Sequence, residues 1–201
     1  MSGGSDKAAN AANAAEQDRL GQIRNTQSRV NATFDAPGRK ADIADYVDAT
    51  RQYQTDDLTR QKAESDRGLR FALARGGQIG GSVNVDKQAE QGRLFNRGLL
   101  AVEGKAQGAG AALEAQDQDA RARLISLATS GLDATTGASQ AAAAMKTNLE
   151  AGKAGMRADT IGNAFGSIAD FTKEARRAAE QRRANKDSGF DIYNPGRGYG
   201  E

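Results

Sequence analysis

The sequence predicts an all-α protein: extended long-helix hairpins or a bundle with small-residue seams, a flexible N-terminus and an extended C-terminal tail. Three observations carry this. Alanine supplies 39 of 201 residues and proline only two, so helix propensity is high and little interrupts it. Leu, Ile, Val and Phe together supply 30, below the roughly 20% of ordinary globular domains, so any core is thin. The net charge of +2 is too small for a self-repelling disordered polymer. Narrow apolar stripes must therefore be buried against each other or against partners.

Residues 1–12 read as a flexible lead. From Ala11 to Asn31, Leu20, Ile23 and Val30 fall at helical spacing, a weak stripe on one face. Ala36-Pro37-Gly38 is a turn, because proline presets φ and glycine relieves the next position. A second helix is predicted from Asp42 to Ala74, closing the N-terminal helical region at residue 75. Ile43, Tyr46, Val47, Tyr53, Leu58, Leu69 and Leu73 share its surface, interrupted by Asp56, Asp57, Gln61 and Lys62. Either the partner surface accepts polar contacts there, or the middle of the helix is solvated.

Residues 76–82 hold Gly76, Gly77, Gly80 and Gly81. Each glycine costs a helix about 1 kcal/mol relative to alanine, so this segment is read as a C-cap and reversing loop, a hinge between two long helices. A phosphate-cradling loop is the other reading; no strand precedes it and no Gly-Lys-Ser/Thr follows it.

The central helix, residues 83–130 with its clearest part from Val85 to Ser130, carries the strongest pattern. Phe95, Leu99, Val102, Ala106, Ala109, Leu113, Ala120, Leu124 and Leu127 recur by threes and fours, with Gln116 as the polar step. That spacing is close to the 3.5-residue repeat of helices that wrap together. Gly104, Gly108 and Ala112 add a small-xxx-small row that admits a close helix axis. The seam meets either a hairpin partner in the same chain or further copies of it.

Residues 131–184 comprise an Ala-rich part and an amphipathic basic part. Between Leu124 and Met145 the single charge is Asp133; the segment suits a closely packed bundle helix, or one that meets a membrane only when oligomerised. Gly152 and Gly155 loosen the chain. From Asp159 to Ala179, Ile161, Phe165, Ile168 and Ala175 form one apolar face, flanked by Phe171. Residues 173–186 then carry a local charge of +4, including Arg176, Arg177, Arg182 and Arg183. This is a solvated face, or a contact for DNA phosphates or an acidic partner. In the tail, residues 185–201, Phe190, Tyr193 and Tyr199 are spaced by glycine and proline, as in an extended docking peptide.

The absences exclude whole chemistries. Without cysteine or histidine there is no disulfide, no thiolate site, and no Ser-His-Asp or Cys-His arrangement. No catalytic residue, cofactor or metal ligand is expected. A wall-cleaving transglycosylase needs a carboxyl group in a closed cleft, whereas Glu90, Glu103, Glu114 and Glu150 read as exposed helix positions. A charge of +2 implies weak nucleic-acid binding at most. The opening Met1–Asp6 lacks the basic start and apolar run of a signal peptide, and no run of eighteen strongly apolar residues occurs.

The run Leu73-Ala-Arg-Gly-Gly-Gln-Ile-Gly-Gly-Ser82 leads into a Gln/Ala helix that continues through Gln118-Asp-Ala-Arg-Ala-Arg-Leu-Ile-Ser-Leu-Ala-Thr-Ser-Gly-Leu-Asp133. The Ala-rich segment and Ile161-Gly-Asn-Ala-Phe-Gly-Ser-Ile168 follow. Over roughly residues 45–170 this order of elements resembles the small internal virion proteins, or DNA-ejection proteins, of short-tailed bacteriophages. The resemblance implies a structural protein packed inside the capsid near the portal, which leaves ahead of the genome and helps form a conduit across the host envelope. Its implied partners are copies of itself, the portal, the tail or other ejection proteins, with weak phosphate contacts to genomic DNA and transient contact with the host membrane. A head-to-tail connector or tail-attachment protein that stays on the particle is the alternative.

Overall fold

The computed structural model describes residues 3–77, 79–158 and 161–187. The chain is all-α, with no strand among the described residues: α1 Gly3–Phe34, α2 Pro37–Gly76, α3 Ser82–Thr129, α4 Ala134–Ala158 and α5 Gly166–Asp187. Several boundaries differ from those expected. Helix α1 is formed from Gly3 and not from Ala11, because the Ala/Asn run holds no breaker; residues 7–20 are all exposed. Helix α2 begins at Pro37, ahead of Asp42. Proline suits this first position, where its missing N–H costs nothing.

Gly77, at φ +68°, follows α2 and donates its N–H to the Ala74 carbonyl at 3.2 Å. Gly77, Ile79, Gly80 and Gly81 thus lie outside the helices, with Gly76 still helical. The run from Leu124 to Met145 is two helices. Gly131, at φ +103°, ends α3, and the Leu132 N–H returns to the Leu127 carbonyl at 3.2 Å. The Asp133 carboxylate then caps α4 by accepting from the N–H groups of Thr135 and Thr136 at 3.0 and 2.9 Å. Among the described residues, no helix is long and apolar enough to cross a membrane. Helix α4 continues through Gly152 and Gly155, which therefore do not break it. Ile161 and Phe165 lie in the turn before α5, not in an amphipathic helix from Asp159, because Gly162, Asn163 and Gly166 delay the helix start.

The chain forms two compact units, which divide inside α2 and α3 and not at the glycine turn. Unit 1 comprises Met1–Tyr53 and Glu103–Thr160. Its core joins Val30 and Phe34 of α1, Leu124 of α3 and Ala141 of α4, with Ile125, Leu132 and Met145 against them. A Cβ at Gly137 would lie 3.1 Å from Thr26 and 3.2 Å from Val30, so α1 and α4 run close. Leu20, placed on the α1 stripe by its spacing, is 44% exposed; Thr26 is buried beside Val30 instead.

Unit 2 comprises Gln54–Val102 and Ile161–Glu201. One cluster joins Leu58 of α2, Val102 of α3 and the turn residues Ile161 and Phe165; another joins Leu69 and Leu73 of α2 to Ile168 of α5. The polar middle of α2 is accepted in part, since Asp57 is buried, with Gln54 beside it, and Gln61 and Lys62 are half-buried, whereas Asp56 is exposed.

The expected seam of α3 is right in direction and shifted in detail. Val102, Ala106, Leu113 and Leu124 are buried, and Phe95 and Ala109 half-buried, but Leu99 and Leu127 face outward. The buried line passes through Gly98, Gly110, Asp117 and Ala128 instead. Gly104, Gly108 and Ala112 are exposed, and nothing lies within 4 Å of a Cβ built at either glycine. The close approaches are elsewhere: a Cβ at Gly98 would lie 2.6 and 2.8 Å from the Leu58 δ-carbons, and one at Gly110 would lie 2.6 Å from Cγ2 of Val47. We therefore expect Gly98→Val to lower stability by about 1–3 kcal/mol through overpacking. Gly104→Ala should raise it by up to about 1 kcal/mol. Urea denaturation separates the two, and equal effects would contradict the assigned face.

Candidate functional site

The described side chains build a set of polar ties between helices and leave several surfaces open. In unit 1, Arg39 of α2 is 4% exposed and Asp117 of α3 is 6% exposed. The guanidinium donates from Nε and Nη2 to the two carboxylate oxygens at 2.6 and 2.9 Å. Asn148 of α4 donates to the same carboxylate at 3.0 Å, so one acidic group ties three helices. Arg121 of α3 donates to Asn31 at 2.7 Å and to both Asp35 oxygens at 3.0 and 2.9 Å, holding the end of α1. Tyr46 donates its hydroxyl to the Gly152 carbonyl at 3.0 Å. That contact explains the glycine, because a Cβ there would meet the Tyr46 ring at 3.1 Å.

In unit 2 the tie is Gln61. Its amide nitrogen donates to the Ile161 carbonyl at 3.3 Å, and its amide oxygen accepts from the Ala164 N–H at 3.2 Å. The turn that leads into α5 is thereby stitched to α2. Glu90 of α3 accepts from Lys87 at 2.8 Å and from the Ser167 hydroxyl of α5 at 2.8 Å, and both hold its carboxyl below the usual range. Lys87 also lies 5.1 Å from the centre of the Phe171 ring.

The four arginines expected to act together are separated. Arg176 and Arg183 line one groove with Arg75 of α2, and Arg177 and Arg182 are exposed outside it. Phe190, Tyr193 and Tyr199 lie outside the described residues. Sequence reasoning missed Arg39, Asp117 and Asn148, which hydropathy scores as solvent-facing, and marked Gln61 only as a polar interruption of the α2 stripe. The one available signal is that Asp117 stands beside Gln116, at the polar step of an otherwise small and apolar seam.

Asp117→Ala should cost about 3–5 kcal/mol, because Arg39 is left buried and unpaired. An Arg39→Met/Asp117→Leu pair should recover most of that loss in chemical denaturation; a double variant as weak as the single would refute the tie. Acid should weaken the fold in a defined window. Arg51 and then Gln107 hold Glu103 down to about 2, Thr136 lowers Asp133, and Lys87 and Ser167 lower Glu90. An unfolded chain takes up these protons near its ordinary carboxylate values, before the folded chain does. The contribution is therefore complete above about pH 5 and lost as pH falls towards 2. Glu103→Gln should flatten that acid limb in urea midpoints measured across the range.

No family model matches this chain, and no curated protein or solved structure is significantly similar to it.

Proposed function

We propose that the chain is a structural virion protein of a short-tailed bacteriophage, an internal or ejection protein that assembles in several copies around the portal–tail axis and helps form a conduit for genome delivery. It resides inside the capsid or at the portal and tail, then in the host envelope, and works mechanically, without catalysis. The observation that carries the assembly is outward-facing bulk in a chain poor in bulk. Leu100 is 76% exposed, Val85 67% and Ile79 61%. All three belong to unit 2, while four of the nine buried residues of α3 are only alanine or glycine. Large apolar side chains spent on the surface suit contacts with neighbouring copies.

The open row of Gly104, Gly108 and Ala112 supports the same reading for α3 in unit 1. The thin core suits passage through a narrow channel, since little burial has to be undone at about 25 cal/mol per Å². The glycine segment between α2 and α3 is their natural hinge.

The purified protein should have a solution mass that is a multiple of 21.1 kDa. Leu100→Glu should shift it towards monomer with a stability change within about 0.5 kcal/mol, as for an exposed position. Protein analysis of particles before and after genome release tests the ejection step. Loss of the chain from spent particles is expected; retention would favour a connector or tail-attachment protein.

A further inference from the structure

We propose that unit 2 carries a binding groove for single-stranded nucleic acid between the C-terminal part of α2 and α5. The two helices are packed together through Leu69, Leu73 and Ile168. Beside that contact, Arg75, Arg176 and Arg183 line a groove of about 260 Å³, with Glu180 as its one acidic wall residue. A second hollow of about 310 Å³ shares Arg75 and Arg176 and is bounded by Gly68, Thr172 and Phe71. The two hollows thus form one strip with a cationic end and an aromatic end.

Three features select the occupant. First, none of the three guanidiniums is ion-paired among the described residues. Elsewhere, Arg39, Arg51 and Arg121 each meet a carboxylate. The groove therefore keeps its positive charge for a ligand, in a unit with 15 Lys and Arg against 12 Asp and Glu; unit 1 has 13 against 14. Second, Arg176 and Arg183 stand seven residues apart on α5, about 10.5 Å along the axis. That separation suits two charges spaced along one chain better than one compact anion. Third, Phe71 is 66% exposed at the other end of the strip. Every nucleotide offers it a base face to stack on, whereas an acidic peptide does so only where it carries an aromatic side chain. Both hollows lie between α2 and α5, and a single strand offers its unpaired bases to Phe71, whereas a duplex keeps its bases stacked inside. The proposal stands independently of the virion reading, because it rests on the groove alone.

The test uses the full chain and a fluorescein-labelled 20-nucleotide single strand of mixed sequence, followed by anisotropy from 50 to 200 mM NaCl. Arg176→Ala/Arg183→Ala should weaken binding at least about tenfold. It should also reduce the slope of log K against log salt by about 1.4, two contacts at about 0.7 each. The charge-matched pair Arg177→Ala/Arg182→Ala, on the same helix but outside the groove, should change affinity less than about threefold. Phe71→Ala should weaken the single strand about fivefold or more and leave a duplex of the same sequence unaffected. Circular dichroism melts of all variants, each altered at exposed positions, should match the parent. No binding at 50 mM NaCl, equal losses for the two arginine pairs, or tighter binding of a labelled poly-glutamate peptide would each overturn the proposal.

Discussion

How near two helix backbones come is the constraint on which the rest depends. In unit 2, α2 and α3 meet where Leu58 lies over Gly98; in unit 1 the same helices meet where Val47 lies over Gly110. At each place one helix supplies a branched side chain and the other supplies none. A contact of this kind draws its energy from many short-range dispersion contacts over a small area, each worth about 0.1–0.2 kcal/mol. It tolerates little change in volume. Between residues 98 and 113 the buried surface of α3 is accordingly made of Gly98, Val102, Ala106, Gly110 and Leu113, and only two of the five are large.

Such a seam says where the helices touch but little about register, because one small residue replaces another when a helix slides by a turn. The polar ties supply what the seam lacks. Arg39 reaches both oxygens of Asp117 only in one alignment of α2 with α3, and Asn148 fixes α4 to the same carboxylate. Gln61 does the equivalent for the turn before α5, using both ends of its amide. A slipped register leaves a buried guanidinium or carboxylate without a partner, which costs several kcal/mol. In this chain buried charge acts as an alignment device, and the desolvation it requires is offset only in the aligned state.

These two roles explain which parts of the structure were legible in the sequence. Helix content, the scarcity of breaks and the general face of α3 follow from alanine, proline and the spacing of Val102, Ala106, Leu113 and Leu124. Leu99 and Leu127 were misplaced because hydropathy selects leucine over its neighbours Gly98 and Ala128, although geometry buries the smaller residue. Gly152 was misread for a related reason: a glycine in a helix looks like a weakness until the Tyr46 ring is seen against it. The end of the central helix near residue 130 was legible, but the Asp133 cap that starts α4, and so divides the run from Leu124 to Met145 into two helices, is not registered by a count of apolar residues. Of the groove, Arg176 and Arg183 were visible as part of a basic run, but Arg75 and Phe71 join them only through the packing of α2 on α5.

The two units differ in how they use polar and apolar groups. In unit 1, Arg39 is buried and Arg19, Arg51 and Arg121 meet carboxylates, while Arg24, Arg29 and Arg123 are exposed; its large apolar residues are mostly enclosed. Unit 2 leaves Phe71, Ile79, Val85 and Leu100 outside and keeps Arg75, Arg176 and Arg183 unpaired among the described residues. Each exposed apolar side chain forgoes about 1.5–3 kcal/mol that burial would contribute. Clustered like charges add repulsion, and in a chain with so few large side chains neither sacrifice is small relative to a typical folding stability of 5–15 kcal/mol. A partner that covers the apolar residues and neutralises the arginines restores both terms at once. If the groove and the exposed apolar residues of unit 2 bind as proposed, its stability would be coupled to that binding through the mass-action stabilisation that any ligand of the folded state provides.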